Sequence, residues 1–250
     1  MGRSEQDGDV WVRVFHPAPG AERQLVCFPH AGGSPSYYFG LSAALSPDIQ
    51  VLVVQYPGRE TRLFDELPTS MDALADDIHE ALRPVVGKRP YFFGHSMGAV
   101  VAFEVARRGE RDTGRGPERL IASACVAPSR RVDTGLRHLD DASVLAAIMG
   151  LGGTEGGTLD AHHELAPLIL PAIRADLHMI EPYLAGTDVK LNCPISVFAP
   201  DNDPKVPLAD SEVWAQHTTA DAEMHVFQGG HFYFKEVPGE FTERLKGALS

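Results

Sequence analysis

The chain has 250 residues and a formal net charge of −12, with 44% hydrophobic and 22% charged residues. These are the proportions of an ordinary globule long enough to bury a sizeable core. No apolar run reaches the roughly 18 residues of a membrane helix, and the acidic balance argues against a general nucleic-acid binder, which needs a basic footprint.

The first ten residues, Met1 to Val10, are polar and acidic, so no secretory signal is expected. Gln6 breaks the myristoylation pattern that Gly2 would begin. Apolar runs then alternate with helical patterns, which predicts an α/β fold with a largely parallel sheet. The predicted strands are Val10–Phe15, Gln24–Phe28, Ile49–Gln55, Tyr91–Gly94, Leu120–Val126, Ile195–Ala199 and Glu223–Phe227. Runs such as Val51-Leu52-Val53-Val54 hardly alternate, as expected of strands covered on both faces. Ser70 is placed to cap a helix carrying Met71, Leu74, Ile78 and Leu82 on one side. A second helix is expected after Ser96, with Ala99, Phe103 and Ala106 inward, and a third closes the chain with Phe241 and Leu245. Residues 133–191 carry helical signals (Val144–Met149, Ile169–Tyr183) around a Gly/Thr-rich break at Gly150–Thr158, and no convincing strand. We read residues 1–250 as one domain with 133–191 a helical insertion. A separate small domain is the weaker alternative, because the strand-helix pattern resumes afterwards. Cys27, Cys125 and Cys193 are widely spaced and odd in number, so buried thiols in a reducing cytoplasm are expected rather than a disulfide framework.

The strongest chemical signal is Gly94-His95-Ser96-Met97-Gly98, a G-x-S-x-G between an apolar strand and an amphipathic helix. The bare pattern is weak. The strand-turn-helix context makes it a nucleophile elbow, in which a sharp turn lifts the serine above the end of the sheet. A serine needs a base and an orienting acid, and on such a fold the order is serine, acid, histidine. His231 follows the last predicted strand in Gly229-Gly230-His231 and is the candidate base, whereas His225 lies within that strand and His95 within the elbow. His162, His163 and His178 fall in the insertion without a metal-ligand cluster. Asp201 and Asp203 both lie in the turn after Ile195–Ala199, where aspartates also serve as turn residues. Asp203 is favoured because Pro204 and the apolar Val206 begin the next segment, and Asp201 stays open. Two backbone donors are needed for the oxyanion: Met97, after the nucleophile, and Ala31, in the small-residue loop Pro29-His30-Ala31-Gly32-Gly33. The plain alternative for that loop is a glycine turn.

Taken together, Cys27-Phe28-Pro29-His30-Ala31-Gly32-Gly33, Gln55-Tyr56-Pro57-Gly58-Arg59-Glu60-Thr61-Arg62, the elbow and Gly229-Gly230-His231-Phe232 resemble the type II (external, editing) thioesterases of polyketide and nonribosomal peptide synthesis. Leu170 to Asp176 also resembles that family's lid segment. The resemblance spans about Cys27 to Phe232. It implies an α/β-hydrolase fold with a helical lid, a triad of Ser96, Asp203 and His231, and oxyanion donors at Ala31 and Met97. It also implies hydrolysis of acyl groups from the phosphopantetheine arm of acyl or peptidyl carrier proteins, with no metal or organic cofactor. The family usually has a glycine ahead of its acid turn. Here Ala199-Pro200-Asp201-Asn202-Asp203 stands instead, which leaves the acid's register less firm. For Arg59 and Arg62, the plain expectation is a solvated turn with both side chains exposed.

Three rival readings are an esterase or lipase of small free esters, an integrated synthase domain that releases a final product, and a hydrolase fold kept only as a binding module. The triad in order weighs against the last, and the free-standing length against the second. Between Arg107 and Arg137, eight arginines stand against four acids, a local charge of +4. Either this is a solvated loop or it is a docking surface for an acidic carrier protein. The insertion, with glycines at 150, 152, 153, 156 and 157, is expected to be the mobile part.

Overall fold

The computed structural model describes residues 10–87, 89–151 and 159–250, with side chains left out at 159–165. Seven strands form one sheet: β1 (Val12–Arg13), β2 (Arg23–Phe28), β3 (Ile49–Val54), β4 (Tyr91–His95), β5 (Leu120–Ser123), β6 (Ile195–Pro200) and β7 (Ala222–Phe227). Their spatial order is β1-β3-β2-β4-β5-β6-β7, antiparallel only where β1 meets β3. Every predicted strand is present. The outermost, expected over Val10–Phe15, pairs through two residues only. β5 ends at Ser123, because the backbone then turns through Ala124 at a φ of 45°.

Eight helices accompany the sheet among the described residues: α1 (Phe39–Leu45), α2 (Met71–Leu82), α3 (Met97–Thr113), α4 (Asp141–Met149), α5 (Leu159–Ile180), α6 (Leu208–Glu212), α7 (Tyr233–Glu236) and α8 (Pro238–Ala248). Ser70 caps α2, its Oγ accepting from the Ala73 N–H at 3.1 Å. The central strands are apolar over most of their length because both faces are covered. Val26 and Phe28 of β2, with Leu52 and Val54 of β3, pack with α2 and α3. Leu25, Cys27, Val51 and Val53, the alternate residues, pack with Leu45 of α1 and with Phe241 and Leu245 of α8. The period of two is thus real but carries no polar signal.

Between β5 and β6 the described residues are helices and turns. α5 starts at Leu159, earlier than the expected Ile169, and holds Pro167 and Pro171 within it. Prolines in a helix interior each remove a backbone hydrogen bond, which is why the composition pointed to a later start. Val144 of α4 packs with Leu170, Ile173 and Leu177 of α5 as a small core of their own. The glycines at 152, 153, 156 and 157 and the side chains of His162 and His163 lie outside the described residues. No described helix is long and apolar enough to cross a membrane. All three cysteines are buried free thiols, as expected, and burial pushes Cys193 up to about 12.

Candidate active site

The sharp turn from β4 into α3 puts Ser96 at a φ of 55° and a ψ of −121°, a strained conformation for a residue with a side chain. Two flanking glycines make it possible. A Cβ on Gly94 would overlap the backbone of Gly98 and Ala99, and one on Gly98 would overlap the carbonyl of Phe28. The elbow is therefore pressed against the end of β2, where the loop carrying Ala31 begins. The Ser96 N–H donates to the Ser123 carbonyl at 2.8 Å, tying the turn to β5.

His231 sits in the loop after β7, and Nδ1 of its ring meets Asp203 Oδ2 at 2.5 Å. Both side chains are buried. The other Asp203 oxygen accepts the Lys205 N–H at 2.9 Å, fixing the carboxylate within its own turn. Asp201 points elsewhere. Its Oδ1 accepts the Gly229 N–H at 2.9 Å and so holds the histidine loop against the acid turn. Of the two candidate acids, only Asp203 touches the imidazole.

Ser96, His231, Ala31 and Met97 all line one cavity of about 410 Å³. Among the described residues, no hydrogen bond joins Ser96 Oγ to His231, and neither the Ala31 nor the Met97 N–H has an acceptor in the protein. Catalytic hydrogen bonds are often loose in a free enzyme. Leu136, Ile148, Leu177 and Ile180, from between β5 and β6, form much of the opposite wall, and Arg130, Arg131 and Lys205 add positive charge.

Beneath the cavity lie two further histidines. His95 is fully buried and its Nδ1 is 3.0 Å from Ser123 Oγ, which is 2.9 Å from the Tyr233 hydroxyl. Burial, and after it the nearby His231 and His30, keeps His95 well below the usual histidine range. His30 packs edge-on against Tyr37, His95 and Phe232. Burial and the nearby His231, Arg59 and Lys235 bring it down to about 3. Both rings are neutral at physiological pH.

Arg59 and Arg62 overturn the expectation of a solvated turn: both are buried. Arg62 stacks on Trp11, 3.8 Å from the ring centre, and donates to the Gln55 carbonyl and to Asp65. Arg59 pairs with the fully buried Asp176 of α5 and donates to the carbonyls of Gly33 and Pro57. Sequence reasoning missed this pair because its members are far apart in the chain. The available signal was that both lie in segments singled out by the family resemblance.

The sequence matches the thioesterase domain family over residues 23–248. It is 43% identical over 244 residues to the thioesterase PikA5 of Streptomyces venezuelae, covering 97% of this chain and 86% of that one. It is 40% identical to a probable cadicidin biosynthesis thioesterase of Streptomyces griseus, covering 96% of this chain and 66% of that protein. The fold superposes with a TM-score of 0.89 on the type II thioesterase BorB from the borrelidin biosynthetic cluster, at 39% identity and with the whole of both chains covered. With its mostly parallel sheet and serine elbow, the chain belongs to the thioesterase domain family and is an α/β-hydrolase-fold thioesterase.

Proposed function

We propose that this enzyme removes acyl or aminoacyl groups from the phosphopantetheine arm of acyl or peptidyl carrier proteins, clearing stalled or misprimed intermediates in polyketide or nonribosomal peptide assembly. The similarity to type II thioesterases of such clusters supports the substrate class. The observation that carries the mechanism is the shared cavity of Ser96, His231, Ala31 and Met97, with Asp203 on the far side of the imidazole.

His231 Nε2 takes the Ser96 proton as Oγ attacks the thioester carbonyl. Asp203 holds the proton on Nδ1 and stabilises the imidazolium that forms. The backbone N–H groups of Ala31 and Met97 receive the oxyanion, helped by the N-terminus of α3. The C–S bond breaks as the tetrahedral centre collapses, and the proton held by His231 passes to the departing sulfur, which leaves as the thiol. A thiol of pKa about 8.5 needs little assistance. Water, deprotonated by His231, then attacks the acyl-serine and releases the acid. Side chains and water suffice for these steps, and the pantetheine belongs to the partner. In this reading α4 and α5 belong to a lid over one domain, since Ile148 of the first and Leu177 and Ile180 of the second line the cavity. A cytoplasmic setting belongs to the same reading, supported by the free thiols.

Replacing Ser96→Ala tests the mechanism. Turnover of an acyl-carrier substrate should fall on the order of 10⁶-fold, the cost of a triad serine in a comparable protease, with the fold unchanged by circular dichroism. Activity within about tenfold of wild type would remove Ser96 as the nucleophile. Faster wild-type turnover of simple esters than of acyl-carrier thioesters would move the substrate class to free esters.

A further inference from the structure

The loop that carries Ala31 is gripped from above by two side chains that never touch the reacting atoms. His30-Ala31-Gly32-Gly33 forms a tight turn, closed by the Gly33 N–H donating to the His30 carbonyl at 2.9 Å. Gly32 has a φ of +72°, the left-handed value that the third position of a type II turn requires. In such a turn the central peptide, here Ala31–Gly32, can face either way at modest cost, and its direction decides the turn type. Asp176 Oδ2 accepts the N–H of that peptide at 2.7 Å. The same carboxylate pairs with Arg59, whose guanidinium also donates to the Gly33 carbonyl at 3.3 Å and to the Pro57 carbonyl at 2.7 Å. One buried ion pair thereby holds the central peptide and the last residue of the turn. Ile173, one helical turn before Asp176, closes against Gly32 so tightly that a Cβ there would lie 2.8 Å from its Cγ1.

We propose that the Arg59–Asp176 pair is a positioning device: it sets the orientation of the Ala31 N–H as an oxyanion donor and makes that donor depend on the seating of α5. The idea rests on the assignment of Ser96 and Ala31 above. The grip acts on the peptide next to the donor, so losing it loosens the turn that carries the Ala31 N–H, while His231 keeps its contact with Asp203. Asp176 lies on the helix whose later residues, Leu177 and Ile180, line the cavity. Displacing α5 would open the cavity and release the donor together, so the hole is complete only when the wall is closed.

A buried pair can also be purely structural, and the variants separate the two roles. Removing one partner strands a buried charge, whereas replacing both with apolar residues of similar volume is often neutral or stabilising. The informative protein is therefore the double variant Arg59→Met/Asp176→Leu, with Asp176→Asn beside it. Two probes are used: a short-chain acyl thioester of N-acetylcysteamine, and an alkyl trifluoromethyl ketone. Ser96 Oγ adds to the ketone carbonyl, its proton passes to His231, and the resulting oxyanion must be held by the same donors. The double variant should melt at or above the wild-type temperature. Its kcat should fall about ten- to a hundredfold, in line with loss of part of an oxyanion hole, while KM stays within about threefold. Affinity for the ketone should fall by the same factor as kcat. A folded double variant with wild-type kcat and ketone affinity overturns the proposal, as does a uniform loss carried by KM alone. Failure of the underlying reading looks different: Ser96→Ala would keep turnover, or the ketone would fail to inhibit the wild type.

Discussion

Asp201 and Asp203 stand two residues apart in one turn, and their contacts assign them different work. Asp203 holds His231 Nδ1, while Asp201 holds the Gly229 N–H. Asp203→Asn should lower kcat on the order of 10⁴-fold, the cost of the wrong imidazole tautomer in a serine protease. Asp201→Asn should cost far less, since an amide oxygen still accepts from Gly229. Steady-state kinetics of the two variants checks the ranking, and the reverse order would transfer the orienting role to Asp201. Gly98 makes a prediction of another kind. A Cβ there would lie 2.6 Å from the Phe28 carbonyl carbon, and the obstacle is backbone, which cannot rotate aside. Gly98→Ala should destabilise by at least about 1–3 kcal/mol, the range typical of overpacking, read as a lower urea midpoint. An unchanged midpoint would mean that the elbow and β2 separate without cost.

At the scale of elements, the arginine-rich stretch around α3 divides into parts with different neighbours. Arg108 is buried and paired with Asp72, Asp76 and Glu104, Arg111 with Asp112, and Arg119 with Glu223. Helix α3 starts just after Ser96 and runs 17 residues, about 25 Å at 1.5 Å per residue, so Arg111 and Arg115 stand far from Ser96. Arg119 precedes β5 and lies at the end of the sheet opposite to Ser96. Arg108, Arg111 and Arg119 are thus paired with acids, and Arg111, Arg115 and Arg119 lie away from the site, which disfavours this part of the stretch as the docking surface. Arg130 and Lys205, both exposed, line the cavity itself. On the carrier-protein reading, Arg130→Glu/Lys205→Glu should raise KM for an acyl-carrier substrate and steepen neither kcat nor the rate on a small thioester. Arg111→Glu/Arg115→Glu/Arg119→Glu should leave the carrier KM near wild type. Complementary rim charge acts mainly on association and weakens with salt, so the wild-type carrier reaction should slow as salt is added. If the distant triple reversal raises KM and the rim pair does not, docking uses the far end of α3.

For the whole molecule, the buried histidines link stability to acid. An unfolded histidine takes up a proton near pH 6.5, whereas folded His30 resists it down to about 3. Below about pH 6.5 the unfolded chain therefore binds a proton that the folded chain does not. The stabilisation is complete above that pH and is lost as the pH falls toward the folded value. The slope is about 1.4 kcal/mol per pH unit for each such group. In urea titrations, the difference in unfolding free energy between wild type and His30→Phe should change by about that much per unit between roughly pH 4 and 6. A difference independent of pH would mean that folded His30 accepts its proton normally.

The sequence by itself determined the elements whose signals are local. The central strand runs were legible because parallel strands covered on both faces are apolar along most of their length. The elbow was legible because Gly94, Ser96 and Gly98 must be adjacent for the backbone to make the turn. The α2 cap at Ser70 and the identity of His231 were legible for the same reason. The tertiary structure decided what depends on distance in the chain. It set Asp203, and not Asp201, against His231, because direction, not composition, determines which carboxylate reaches an imidazole 28 residues away. It buried Arg59 and Arg62, which read as exposed, because partners such as Asp176, 117 residues from Arg59, make charge tolerable out of water. It also separated the arginines of one basic stretch onto opposite ends of the fold. Local sterics and burial patterns are written in neighbouring residues, whereas the pairing of charges is settled only when remote segments meet.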